Sequence, residues 1–241
     1  MVTHQKSAPH LREIVVVVPA HNERDRLGVC LASVTAAAAH VSTPVRVLVV
    51  LDGCSDGTED VLTGAVQHIS ISARNVGAAR AAGFIAAAPD ADAGVWLATT
   101  DADSVVPEDW LSRQAAHHHA LMQGFVGTVS VDWREHSPST RLRYDRLYRV
   151  REGQHGHVHG ANLGVRADAY WQVGGFRPLR VGEDVDLVDR LVATGTPLAW
   201  DADNAVLTSD RRNVRAAGGF GDYVQSIAED AVFGPGSADI A

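Results

Sequence analysis

Val95-Trp-Leu-Ala-Thr-Thr-Asp101-Ala-Asp103-Ser104 decides the reading of this chain. An apolar run short enough for one buried strand stops at two carboxylates, one residue apart. In an open α/β sheet, ligands bind beyond the carboxyl ends of the strands. Two aspartates at this spacing repel each other, and a divalent cation relieves the repulsion. Magnesium and manganese favour such oxygen ligands and complete their shells with phosphate oxygens and water. An isolated Asp-x-Asp is more often a helix cap, here for the helix entered through Pro107, Glu108 and Asp109. The surrounding chain decides between the two.

Upstream, Ile14-Val-Val-Val-Val18 is a β-branched run suited to a strand covered on both faces of a parallel sheet. Leu27, Leu31 and Val34 recur at helical spacing, and Val45 to Leu51 reads as a second strand. It empties into Asp52-Gly-Cys-Ser-Asp56-Gly-Thr58, where Thr58 is placed to cap a helix opened by Glu59 and Asp60. A short third strand near His68 to Ser72 leads to Asn75, which can cap a small-residue helix running to Ala88. The Asp101 strand is the fourth. Strands alternating with helices predict right-handed crossovers and a doubly wound, predominantly parallel α/β sheet with helices on both faces.

Downstream, the pattern predicts a helix from Glu108 to Met122, a strand from Phe125 to Val131 and a basic helix from Arg141 to Arg151. Gly153 to Gly160 is a glycine and histidine loop, and Leu163 to Arg166 a short strand followed by a helix ending at Gly174-Gly175. Asp184 to Thr194 is an amphipathic helix, with small strands at Leu198 to Trp200 and Ala205 to Leu207. We expect a flexible segment at 1–12 and one domain over 13–232. Residues 13–104 form a nucleotide-type front half and 105–232 a variable back half, with a disordered tail at 233–241.

The chain has 241 residues and a formal charge of -8, which argues against a nucleic-acid partner. Its two cysteines, Cys30 and Cys54, are too few for a disulfide framework, so a reducing, cytoplasmic setting is expected. No signal-peptide pattern is present near Met1, and no apolar run approaches the roughly 18–20 residues that span a bilayer. Lys6 is the sole lysine, so arginine clusters reflect composition as much as function.

Six motifs in order then resemble the family 2 glycosyltransferases, which have the GT-A fold. They are Val18-Pro19-Ala20-His-Asn22-Glu23, Asp52 to Thr58, Arg74-Asn75-x-Gly77-x-x-Arg80, and Asp101-Ala102-Asp103. Gly160-Ala-Asn162 with Gly174-Gly175-Phe176, and Gly182-Glu183-Asp184-x-Asp186-Leu, complete the set. The resemblance implies an inverting enzyme that moves a sugar from a nucleotide-diphosphate donor to a hydroxyl acceptor. By it, the turn of Pro19, Ala20, Asn22 and Glu23 and the carboxylate of Asp52 hold the base. Asp101 and Ala102 lie by the ribose, and Asp103 binds Mn2+ or Mg2+ on the diphosphate. Asn75 and Arg80 are diphosphate or ribose neighbours. Asp184 is the general base beside Glu183. Uridine diphosphate is the commoner donor carrier in the family, guanosine diphosphate the next.

The chemistry agrees: a carboxylate activates the acceptor hydroxyl, and a Lewis-acidic metal makes the diphosphate a good leaving group. Away from the other motifs, Glu183-Asp184 would read as acidic capping after Gly182. His159, Gly160 and Asn162 are candidate acceptor or donor contacts, and His155 and His157 share a face with His159 as metal ligands would. His117-His118-His119 reads as solvated, and Trp110 and Trp171 as core. The Arg141 to Arg151 helix reads as a solvated face, or as one that meets an anionic acceptor or a peripheral membrane surface. Arg211, Arg212 and Arg215 lie where a loop closing over the diphosphate would place an arginine on phosphate. The family's downstream metal-ligating histidine is missing, since no histidine follows His159, and Asp210 or water is left to replace it.

Three rivals remain. A haloacid-dehalogenase-type phosphatase also follows an apolar strand with Asp-x-Asp, but it needs a downstream lysine. A nucleotidyltransferase needs a glycine-rich basic loop after the first strand, and Pro19-Ala-His-Asn-Glu23 is not one. A nucleotide-sugar binding protein without transferase activity is separated only by assay.

Overall fold

The computed structural model describes residues 8–64, 66–150, 155–212 and 219–229. The expectations for residues 1–7, Arg151, Arg215 and the 233–241 tail lie outside the described residues. The strands are β1 (Glu13–Ala20), β2 (Val45–Asp52), β3 (Gln67–Ile71), β4 (Val95–Thr99), β5 (Gly124–Asp132), β6 (Leu163–Arg166) and β7 (Leu198–Ser209). They form one sheet in the order β3-β2-β1-β4-β6-β5-β7. β1, β2, β3 and β4 pair in parallel. β6 runs antiparallel to both β4 and β5, and β5 pairs with β7 in parallel. The order 3-2-1-4 reverses direction between β1 and β4, and a crevice opens at such a switch point.

Helices α1 (Leu27–Ala39) and α3 (Trp110–His119) cover one face of the sheet, and α2 (Val76–Ala87), α5 (Ala167–Gln172) and α6 (Glu183–Ala193) the other. The β1 run shows why every residue is apolar. Val16 and Val18 pack with Leu27, Leu31 and Val34, while Val15 and Val17 pack with Phe84, Leu97 and Leu187. Helices α4 (Pro138–Leu147) and α7 (Phe220–Glu229) pack together in a smaller cluster of Val131, Tyr144, Val224 and Ile227.

The structure departs from the sequence reading in several places. Ahead of β1, Leu11 is buried and Arg12 N–H donates to Gly94 O at 2.8 Å. The helix expected after Asp52 is a single 3-10 turn, Thr58–Val61, preceded by Gly57 in the left-handed region at φ 82°. Thr58 is therefore not the cap. The two small strands beyond Leu198 are one strand, β7. Asp201 and Asn204 look like loop residues in sequence, but a register shift in the β5–β7 pairing accommodates them. Arg113 and His117 from α3 hold the Asp201 carboxylate, at 2.8 and 3.1 Å. His118 is buried rather than solvated, its Nε2 donating to Pro9 O at 3.0 Å and its ring edge-on to Trp96. Helix α4 starts earlier than its arginine pattern suggests because Pro138 takes the first turn and the Ser137 hydroxyl accepts from Thr140 N–H. Among the described residues no helix is long and apolar enough to cross a membrane.

Candidate active site

The carboxyl ends of β1 and β2 are stitched together by their own loops. Asn22, at φ 54°, turns its Oδ1 to accept from Ser55 N–H at 2.7 Å. Asn and Asp tolerate this left-handed conformation better than other side chains. Glu23 N–H donates to Thr58 Oγ1 at 2.8 Å, which is where the Thr58 hydroxyl is used. Asp52 is buried, and its two oxygens accept from the backbone N–H groups of Arg74 and Asn75, each at 2.7 Å. Its carboxylate thus fixes the loop ahead of α2, and Asn75 caps that helix by accepting from Ala78 N–H at 2.9 Å. Pro19 and Ala20 end β1 beside this loop.

Arg80 occupies the centre of the crevice. Its side chain is 3% exposed, and its guanidinium joins Asp101 Oδ1 at 2.5 Å to Glu183 Oε1. Both arms of this buried guanidinium are therefore taken up by protein carboxylates. It bridges the end of β4 to the first turn of α6. Burial raises the Asp101 and Glu183 carboxyls above their ordinary values, and the Arg80 charge works against the rise. For Arg80 itself, burial opposes the charge and the surrounding carboxylates override it. Gly160 is glycine because a Cβ there would run into the Arg80 guanidinium, so the close approach is to arginine. Ala102 is buried beside these groups.

Asp103 faces the segment that follows β7. Its Oδ2 accepts from Arg211 Nη2 at 2.6 Å and from the Ser209 hydroxyl. The same guanidinium donates to Glu23 Oε1 at 2.8 Å, so Arg211 spans two carboxylates from β1 and β4 loops. Arg26 lies on the same side: its Nη1 is 3.9 Å from Asp103 Oδ2 and its Nη2 donates to Glu135, whose other oxygen accepts from Arg212 N–H. Asp210, the stand-in for the missing histidine, is committed elsewhere. Its Oδ2 accepts from the N–H groups of Arg134, Glu135 and His136 at 2.8 to 3.0 Å. Burial pushes that carboxyl up, but the three donors outweigh it and hold it below the usual range.

Asp184 lies in the first turn of α6, after Gly182 at φ 74°. Its Oδ2 accepts from Gly160 N–H at 2.6 Å and its Oδ1 from Val185 N–H at 2.8 Å. A helix N-terminus favours a negative side chain there. His159 precedes Gly160, and its Nε2 lies 2.9 Å from the Tyr148 hydroxyl. Val129 N–H donates to that hydroxyl at 3.2 Å, which leaves the phenolic proton for His159. Nε2 then accepts, and the imidazole is the neutral Nδ1–H tautomer. Tyr148 was not singled out from sequence because it lay hidden among arginines. Asn162 does not face the crevice. It is fully buried, with its amide on Thr128 O, Asn204 O and Trp110 Nε1 at 2.6 to 2.8 Å, and it serves packing. His155 and His157 turn their ring nitrogens to the carbonyls of Val126, His157 and Arg149, which leaves no metal triad with His159.

Burial lowers the His159 imidazole to about 4, against a weaker opposing pull from Asp184. A folded value below the unfolded one means the unfolded chain binds the extra proton between roughly 4 and 6.5, so stability falls as pH drops through that window. We expect the melting temperature to decline over that range and His159→Gln to flatten the decline. Parallel wild-type and variant melting curves at each pH would refute the assignment.

The polar ends of β1, β2, β4 and α6 therefore share one crevice, and comparisons with known proteins bear on the fold that builds it. The family model described as glycosyl transferase family 2 matches residues 15–174. An undecaprenyl-phosphate 4-deoxy-4-formamido-L-arabinose transferase of Serratia proteamaculans is 34% identical over 58 residues, 24% of this chain and 18% of that protein. S. aureus TarS 1-349 in complex with UDP-GlcNAc superposes with TM-score 0.64 at 14% identity, covering 95% of this chain and 68% of that one. A Pyrobaculum calidifontis mannosyltransferase in complex with GDP-Man and Mn2+ gives TM-score 0.63 at 18% identity, covering 87% and 62%. Another TarS structure covers 82% of this chain but only 36% of that one. The chain spans under a fifth of the curated relative's length and between about a third and two thirds of these solved chains. The solved structures speak for a GT-A arrangement, and the family match spans strands β1 to β6, the Asp101 to Asp103 turn and the Gly160 loop, and ends before α6 and β7. On that match, the chain belongs to glycosyl transferase family 2.

Proposed function

We propose that this protein is a metal-dependent, inverting glycosyltransferase that moves a sugar from a nucleotide diphosphate to a hydroxyl acceptor. The observation that carries the reading is the Arg80 bridge, which brings the Asp101 to Asp103 turn and the Glu183-Asp184 turn to the same crevice. Donor recognition and base are then on opposite sides of one reacting centre. The neighbours in complex with UDP-GlcNAc and GDP-Man support a nucleotide-sugar donor, and both nucleotides stand as candidates.

The residues present fit a divalent cation. Asp103 and Glu23 both turn an oxygen to the Arg211 guanidinium, so they face one cation position. Among the described residues no three metal-ligating side chains come together, which leaves the other positions to phosphate oxygens and water, as Mg2+ and Mn2+ commonly have them. When bound, the metal would neutralise charge on the leaving diphosphate. Asp103 would hold it. Asp184 Oδ2 would take the proton from the acceptor hydroxyl as its oxygen attacks the anomeric carbon and the carbon–phosphate oxygen bond breaks. A single displacement of this kind inverts the anomeric centre.

Arg211 and the cation compete for Asp103 in this arrangement. Arg211→Ala is expected to tighten uptake of Mn2+ alone several-fold, read by calorimetry without nucleotide. Unchanged Mn2+ uptake would take Asp103 out of the metal site. The whole reading is tested by thermal shift with UDP and GDP, with and without Mn2+. A metal-dependent rise in melting temperature is expected, and its absence with both nucleotides would end the proposal.

A further inference from the structure

Helix α4 is the basic segment that the crevice chemistry leaves unused. Its inner side buries Thr140 and Tyr144, and the Tyr144 ring meets Tyr223 of α7 with centroids 6.4 Å apart. At about 100° per residue, Leu142, Arg146, Arg143 and Leu147 follow one another around the outer side within about 140° of arc. No acidic residue falls in that arc. Asp145 lies outside it, 3.8 Å from Arg141.

Two features set this side apart from an ordinary solvated face. Leu142 and Leu147 are 60% and 58% exposed, the two most exposed leucines among the described residues. Val150, just beyond the helix, and Tyr223, on the helix packed against it, are exposed as well. The second feature is charge. Among the described residues Arg143, Arg146 and Arg149 pair with no carboxylate, and Arg149 donates instead to Arg146 O at 2.9 Å. Elsewhere arginines are held by aspartates, as Arg113, Arg166 and Arg190 are, so a coding bias towards arginine does not account for unpaired ones gathered here. They stand against a formal charge of -8 for the whole chain.

We propose that α4 docks on an anionic lipid surface, with Leu142 and Leu147 sunk among the acyl chains and Arg143 and Arg146 at the phosphates. Interfacial helices combine the two in this way, because arginine stems lie along hydrocarbon while the guanidiniums stay with the headgroups. A nucleic-acid backbone would give the two leucines nothing to bury against, and an apolar protein face would leave the arginines unpaired. Topology sets this helix beside the crevice. β4 and β5 both run antiparallel to β6, so α4 follows β5 at the same end of the sheet as Asp101 and Asp103. Tyr148, at the end of α4, lies 2.9 Å from His159. A protein docked through α4 therefore opens its crevice near the headgroups, whatever reaction the crevice performs.

Co-sedimentation of the full chain with vesicles tests this. Retention is expected on vesicles of phosphatidylglycerol and phosphatidylcholine in equal parts, and it should fall with added salt and on phosphatidylcholine alone. A basic side chain near an anionic surface contributes about fivefold in affinity, so Arg143→Gln with Arg146→Gln should weaken binding about 25-fold. Leu142→Gln with Leu147→Gln should weaken it several-fold at unchanged charge. Both pairs are at the surface and glutamine keeps the helix, so melting temperatures should hold. Were either pair to unfold, the salt and lipid dependence of the wild type would still decide. No retention on the anionic vesicles, equal retention on phosphatidylcholine alone, or retention indifferent to either folded pair would overturn the proposal. Tighter capture by a single-stranded oligonucleotide than by the vesicles would do so as well, and give the face to nucleic acid. Nucleotide uptake is read separately, so the transferase reading does not fall with this one.

Discussion

Replacing Asp184 with Asn is expected to lower sugar transfer by about 10²–10⁴-fold, the usual contribution of a general base. Asn is nearly isosteric, so its Oδ1 can still accept from Gly160 N–H in place of the Asp184 oxygen that does so at 2.6 Å. What it cannot do is take up a proton. The variant should bind nucleotide and Mn2+ as the wild type does, and melt a few degrees below it because its amide no longer accepts from Val185 N–H. Turnover is measured as nucleotide-diphosphate release from the donor. The informative pattern is a fall in kcat with donor affinity kept. Retained kcat would assign proton removal to another group, and Glu183 is the adjacent alternative.

Arg80→Met carries the largest expected cost in stability. The arginine is almost fully buried between Asp101 and Glu183. Removing one partner from a buried ion pair leaves uncompensated charge and typically costs about 3–5 kcal/mol. Both carboxyls are already raised by burial, and the Arg80 charge is what holds them down. Without it they should take up protons more readily, and the loss in urea unfolding should shrink as pH falls. Arg80→Lys should recover only part, because one ammonium cannot reproduce a fork that meets both carboxylates. Combining Arg80→Met with Glu183→Gln removes one orphaned charge and should be less destabilising than the single change. If the single and double variants unfold alike, the bridge is not what joins β4 to α6. Donor affinity should also fall, since Asp101 would lose its orientation.

How much was legible differs from one residue to the next. The β1 run from Ile14 to Val18 announced a strand covered on both faces, and the two cores that share it confirm the reason for its composition. Asn75 announced a helix start and caps α2. Thr58 sent the same signal and was misread, because its hydroxyl is taken by the Glu23 N–H from another loop, a partner 35 residues away. Residues 201–204 fell between two short expected strands, yet Arg113, His117 and Asp109 hold Asp201 and Asn204 within one continuous strand. His118 looked exposed in a run of three histidines until Trp96 and Pro9 closed over it.

By itself the sequence determined the alternation of strands and helices, the parallel β1 to β4 half of the sheet, and which loops would gather polar groups at its carboxyl edge. Those properties follow from local periodicity and from the handedness of the crossover. Only the tertiary structure decided which charged groups meet: Arg80 with Asp101 and Glu183, Arg211 with Glu23 and Asp103, Tyr148 with His159. Ion pairs and hydrogen bonds act over a few ångströms between residues far apart in the chain. No spacing along it records them.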